Sequence, residues 1–246
     1  MRESGARLGS LLALLVAWQL LAAAAQSLTL PTPWAVTQVI VQQASSGDLW
    51  LNLSATLARV VASFTIAMCV GVALGMWMGA SKTTNQWLDP LLIIALNVPA
   101  LVIIILAYVW LGLGEVAAVV AVAVNKIPVV VVATREGARA IDHALMQVGE
   151  VYRLSRWRTW RHIYLPQLYP HLLSAGRNGL SLVWKIVLVV ELLGRSSGVG
   201  FALANYFHDF DVAGIFAYTI AFTSVMLVFE ALLMRPLERR LNRWRA

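Results

Sequence analysis

Gln147-Val-Gly-Glu-Val-Tyr-Arg-Leu-Ser-Arg-Trp-Arg-Thr-Trp-Arg-His-Ile-Tyr-Leu-Pro166 lies between two apolar runs, each long enough to cross a lipid bilayer. Short polar turns are the usual material between such runs. Here the connector carries an apolar stripe, a dense arginine cluster and a Leu165-Pro166 pair that reads as a helix stop. Just before and within it, Ile141, Leu145, Val148 and Tyr152 recur at helical spacing and share one face. Asp142, Gln147, Glu150 and Arg153 occupy the remainder, and Asp142 at the start with Arg at the end suits the helix dipole. A short helix with one apolar stripe needs a groove to bury it. This chain, lipid headgroups and another protein are all possible owners of that groove.

Outward from the loop, the composition is that of a membrane protein. Of 246 residues 60% are hydrophobic and only 13% charged, where a soluble domain carries about 25%. Mean hydropathy is +0.75. Helices satisfy their own backbone groups in lipid, and the alternation of a membrane barrel is absent, so the fold class is all-α with about six spans. The spans are expected at 8–26, 58–80, 88–111, 115–134, 172–194 and 213–234. We read the first as retained, with a cleaved secretory leader as the alternative. Pro31 and Pro33 break the chain after it, and residues 34–41 form either an interfacial helix or a plain amphipathic connector.

Charge placement sets the sidedness. Fourteen of the nineteen Lys and Arg lie in the two termini, the loop around Lys82 and the loop after the fourth span. The opposite loops hold only Arg195. Both termini and the arginine-rich loop are therefore expected in the cytoplasm. Sidedness accounts for the net charge of +7, so nucleic acid is not an expected partner. The single Cys69 excludes an internal disulfide, and no His or Cys pair has metal-ligand spacing. The chain divides into an N-terminal span and outer connector (1–50), a core (51–235) and a tail (236–246), all one transmembrane domain.

The loop resembles the signature of permease subunits of bacterial ATP-binding cassette importers: Glu-Ala-Ala, three residues, Gly, nine residues, Ile-x-Leu-Pro. Ile163, Leu165 and Pro166 match, Gln147-Val148-Gly149 replaces Glu-Ala-Ala, and Arg153 replaces the Gly. Arg tolerates a left-handed backbone less well than Gly, which puts the turn after the short helix in question. Other segments resemble the nitrate, sulfonate and taurine branch. They are Leu53–Val60 with Gly71 to Gly79, Pro99 with Gly112-Leu-Gly-Glu115, Gly176-Arg177 through Gly200, and the tail from Leu237. Ile105 stands where a second proline is common in that branch. The resemblance implies two permease subunits, most simply two copies of this chain, over a dimer of ATPase subunits. A periplasmic binding protein would deliver the solute. It also implies that Ile141, Leu145, Val148, Glu150, Tyr152, Arg153, Leu165 and Pro166 form the ATPase-coupling element. This chain is expected to bind no cofactor, with ATP and Mg on the partner ATPase. No Gly-x-x-x-x-Gly-Lys-Ser/Thr loop occurs in the sequence, in keeping with this.

Ionisable groups inside spans need a partner, a wet cavity or a route to the interface. Arg177, Ser181, Trp184 and Glu191 share a face of the fifth span. Either that face lines the solute route, or Arg177 and Glu191 snorkel to opposite surfaces. Lys185 and Lys126, both at depth, either favour an anionic solute or pair with carboxylates. Asn97 and Pro99 loosen the third span, as a gate or as a structural kink. Asn97, Pro99, Lys126, Trp184 and Lys185 are the candidate translocation residues. The competing function class is an ion-coupled secondary transporter or channel using Lys126, Lys185 and Glu191. A membrane enzyme lacks a nucleophile, metal set or acid pair at span depth.

Overall fold

The computed structural model describes residues 2–25, 27, 29–234 and 236. Among them all regular structure is helical. The helices are α1 (Arg2–Ala25), α2 (Pro33–Ser46), α3 (Asp48–Ala80), α4 (Lys82–Asn97), α5 (Ala100–Leu111), α6 (Glu115–Arg139) and α7 (His143–Val151). They are followed by α8 (Arg156–Gly194), α9 (Val199–His208) and α10 (Val212–Phe229). The tail from Leu237, and Arg235 before it, lie outside the described residues.

Among the described residues four helices are long and apolar enough to cross a membrane, and a fifth crossing is possible as a broken pair. The bounds of the spans differ from the expected ones at several points. The first expected span overlaps helix α1, which is 24 residues long. Its indole Trp18 packs on Phe216 of α10 and donates to the Pro31 carbonyl at 3.0 Å. The second span begins at Asp48 rather than 58 and is 33 residues long, about 50 Å. Its extra turns are soldered to protein by buried Asn52 and Thr56 rather than left as loop. The third expected span, 88–111, is two helices bent by 96°. Val98 is extended (ψ 124) because it precedes Pro99, and Pro99 offers no N–H to continue the ladder.

Leu165-Pro166 does not stop a helix. Helix α8 runs through it for 39 residues. The turn Trp160–Tyr164 is a π-helix, and this widening absorbs the N–H that Pro166 lacks. The fifth span thus extends toward the arginine-rich loop well before the expected residue 172.

The core is built on α3 and α6, which run side by side in the same sense. Gly71, Gly75 and Gly79 of α3 face Val130, Thr134 and Ala138 of α6 in register. A Cβ on Gly75 would lie 2.6 Å from the Thr134 Cβ, so only glycine admits this approach. Small residues at four-residue spacing are how helices pack closely in lipid, where no hydrophobic drive joins them. Helix α8 crosses back against this pair through Val183, Val187 and Val190, all buried. At the arginine-rich end, Arg135 pairs with Asp89 and ties α6 to α4.

Candidate functional site

The end of the bundle opposite the arginine-rich loop holds a closed polar knot. Arg59 of α3 is 4% exposed and Glu191 of α8 is fully buried. Arg59 Nη1 donates to Glu191 Oε1 at 2.7 Å and to the Ser197 carbonyl at 2.7 Å. Its Nε and Nη2 form a fork on Glu115 at 2.8 and 2.7 Å. Arg195 also pairs with Glu115. The second Glu191 oxygen accepts from Thr56 Oγ1 and from the Gly200 N–H, each at 2.9 Å. Gly198 has φ 112, and a Cβ there would fall on the Glu191 carboxylate. The Ser196-to-Gly200 turn is thus wrapped around this side chain. Nearby, Gly198 N–H donates to Asn52, which donates to Tyr218. Burial of two charges is tolerated here because all three Arg59 nitrogens and both Glu191 oxygens have hydrogen-bond partners.

This arrangement corrects the outward-snorkelling reading of Glu191. Arg59 falls at the start of the expected second span, 58–80, and Glu191 near the end of the fifth, 172–194. Both charges lie in the same end of their spans, and that depth match was the available signal for pairing. Beside the knot a cavity of about 310 Å³ is edged by Gln43, Asp48, Asn205, Tyr206 and Asp209. Burial pushes the Tyr206 phenol up to about 12, reinforced by Tyr218 and Asp211.

The candidate translocation residues do not converge. Asn97 is exposed and bonds its amide back to the Ile93 carbonyl at 2.8 Å. Pro99 caps α5 at the bend. Lys185 is exposed. Lys126 is 1% exposed, and its Nζ has no hydrogen-bond partner among the described residues. It lies over Gly179 of α8, where a Cβ would stand 2.7 Å from Nζ. Trp184 is 2% exposed and edge-on to Phe222 and Phe229. It lines a cavity of about 320 Å³ with Arg177, Ser181 and Glu230. Arg177 reaches Glu230 at 3.4 Å, a partner in the π-turn Glu230–Met234 just past α10 that the sequence alone did not indicate.

The loop helix is present as read. Asp142 caps α7, accepting from Ala144 N–H at 2.7 Å, and its own N–H donates to Gln167 on α8 at 2.8 Å. One face is fastened: Gly149 is buried against Thr159 and Ile163. Ile141 is buried as well, whereas Leu145, Val148 and Tyr152 are 47%, 43% and 74% exposed. Glu150 is exposed, and Leu165 and Pro166 are half-buried in α8. Arg153 has φ 48, the left-handed conformation that glycine favours. Its N–H bonds the Glu150 carbonyl and that of Leu154 bonds Gly149, each at 2.9 Å. This is a complete Schellman termination formed without glycine.

Long apolar helices locked by internal charge pairs, with a stapled amphipathic helix displayed beyond one end, define a polytopic membrane transport subunit. Residues 71–243 match the model of the binding-protein-dependent transport system inner membrane component family. The chain is 30% identical to the putative aliphatic sulfonates transport permease protein SsuC of Bacillus subtilis over 88% of this chain and 78% of that one. It is 26% identical to the taurine transport system permease protein TauC of Escherichia coli, over 99% and 90% of the two chains. The nitrate import permease protein NrtB of Synechocystis is 28% identical, over 80% and 74%. Its fold resembles the MetNI methionine ABC transporter in an inward-facing conformation, with TM-score 0.63, 17% identity and coverage of 78% and 93%. The chain belongs to the binding-protein-dependent inner membrane component family and is a permease subunit of an ATP-binding cassette importer. It is a transport component rather than an enzyme. It works with an ATPase on separate chains and a substrate-binding protein, in the inner membrane. The ion-coupled alternative is not favoured.

Proposed function

We propose that this permease carries a small solute bearing an anionic group, of the nitrate, sulfonate or taurine kind. The names of its relatives support that class. Two copies of the chain pair, both termini face the cytoplasm, and a periplasmic binding protein delivers the solute to the end that carries the Arg59 knot. ATP and Mg act on the partner ATPase dimer, which grips α7. Ile141 and Gly149 anchor the helix, Leu145, Val148 and Tyr152 enter the ATPase cleft, and Glu150 and Arg153 lie at its rim. Leu165 and Pro166 pass the movement into α8. Among the membrane residues, Trp184 lines the route, Lys126 and Lys185 add positive potential, and the Asn97–Pro99 bend flexes.

The observation that carries this reading is the apolar stripe of α7, open to solvent on a helix whose other face is already packed. The test is Leu145→Ala with Tyr152→Ala in the full transporter reconstituted in vesicles. ATP hydrolysis is expected to continue while solute uptake falls at least tenfold. Unchanged uptake and unchanged ATPase association would overturn the coupling role.

A further inference from the structure

The side chains of α8 sort by face. Val183, Val187 and Val190 are buried in the core. On the opposite side Ser174, Asn178, Ser181 and Lys185 fall at i, i+4, i+7 and i+11, within about 60° of arc on a helix of about 3.6 residues per turn. All four are exposed. None of these side chains has a hydrogen bond or ion pair among the described residues. Along the helix axis Lys185 lies about 9 Å inward from Glu191 and the Arg59 knot, and Ser174 about 26 Å. With the knot at one boundary of a hydrocarbon core of about 30 Å, the stripe runs at span depth, from Lys185 down to the arginine-rich side.

Exposed faces elsewhere in the bundle are unlike this one. That of α5 is apolar, with Leu101, Ile105 and Val109 outward. On α10 the exposed hydroxyls of Thr219 and Ser224 donate back to the Ile215 and Ile220 carbonyls at 2.7 and 2.8 Å, which satisfies them within their own helix. Lipid tails offer nothing to Asn178 or Lys185, and an uncompensated amide or ammonium at this depth is costly. A dry seam between two copies fits no better. A two-fold axis through this face would bring each Lys185 toward its own copy, where like charges repel. Water satisfies all four groups. Past Lys185 the face turns apolar at Val189 and Leu192, level with the knot, so water reaches the stripe from the arginine-rich end.

We propose that Ser174, Asn178, Ser181 and Lys185 form one wall of the water-filled passage through the importer, entered from the arginine-rich end, with the same face of the second copy as the opposite wall. This rests on the importer reading above and gives its passage a continuous polar lining.

The experiment is cysteine modification in the complete transporter, reconstituted with its ATPase side outward and with Cys69→Ala removing the native thiol. Single changes Ser174→Cys, Asn178→Cys, Ser181→Cys and Lys185→Cys are compared with Ile105→Cys on the exposed face of α5. Serine and asparagine give way to a side chain of similar size, and co-purification of the ATPase reports assembly. A charged, membrane-impermeant methanethiosulfonate should modify each of the four at least tenfold faster than Ile105→Cys. MgATP with vanadate, which arrests the ATPase, should change the rates at Ser181→Cys and Lys185→Cys at least fivefold, because a passage opens to its two sides in turn. Rates no faster than at Ile105→Cys overturn the proposal and assign the face to lipid or to a dry contact. Fast rates that vanadate leaves unchanged also overturn it, since they describe a standing crevice rather than a passage. Uncoupling by the α7 variant would stand through either failure, so the two readings fail separately.

Discussion

Arg59 Nη1 and Glu191 Oε1 stand 2.7 Å apart across 132 residues of sequence, with both side chains closed to solvent. The pair joins α3 to α8, while the other edge of the same guanidinium holds the first residue of α6. One side chain thus fastens three spanning helices at the end where the solute would arrive.

Removing one partner leaves the other charged and buried. Glu191→Ala is expected to destabilise the protein by about 3–5 kcal/mol. Glu191→Gln, which keeps an acceptor oxygen for Arg59 and a similar shape, should cost less. Arg59→Lys should resemble the alanine change, because a point-charge ammonium does not reproduce the fork on Glu115. Thermal unfolding in detergent ranks the three. A melting temperature for Glu191→Ala equal to that of wild type would show that the knot contributes nothing to stability.

The glycine register between α3 and α6 makes a steric prediction. Gly75→Leu places side-chain atoms where the Thr134 Cβ and the Val131 carbonyl already lie. Neither helix can rotate away without breaking the neighbouring Gly71 and Gly79 contacts. The variant should be lost from the membrane fraction, whereas Gly9→Leu, where nothing lies within 4 Å, should express normally. Quantitative immunoblotting of membranes decides it.

Features that depend on local periodicity were legible in the sequence. The stripe of α7 and the place of Asp142 at its start follow from residues a few positions apart. The bend at Pro99 was legible as a weakness but not as a near right angle, since its size depends on what packs around it. The Arg59–Glu191 pair was hidden because helical-wheel arithmetic relates residues of one helix, and there it grouped Glu191 with Arg177. Their actual partners lie on other helices. The passage of α8 through Pro166 was hidden for another reason. A proline disfavours a helix interior, and here the helix passes Pro166 just after the wider turn Trp160–Tyr164.

Arg153 holds a left-handed conformation that costs an ordinary residue about 1–2 kcal/mol. Arg153→Gly should relieve this and hold the two Schellman hydrogen bonds more tightly. Hydrogen exchange at the Arg153 and Leu154 amides should slow, by about fivefold for each kcal/mol gained. Arg153→Val, with a β-branched side chain at positive φ, should accelerate both. Faster exchange in the glycine variant would mean that the arginine side chain, rather than the backbone, stabilises the turn.

Lys126 and Gly179 form the last pair with a measurable coupling. The lysine Nζ is buried without a hydrogen bond among the described residues, and an ionisable side chain at this depth costs about 2.5–3.5 kcal/mol on insertion scales. Lys126→Met, similar in length and free of charge, should therefore raise the melting temperature. Gly179→Ala drives a methyl group into the space of the Lys126 Cε and Nζ and should lower it. In the Lys126→Ala background that space is vacated, so the same glycine change should be harmless. The cycle should give a coupling of about 0.5–3 kcal/mol. If Lys126 also supplies positive potential to the route, uptake should fall in Lys126→Met even as stability rises. A more stable protein with full uptake would leave the lysine a packing residue. A less stable one would reveal a polar partner supplied by a neighbouring subunit.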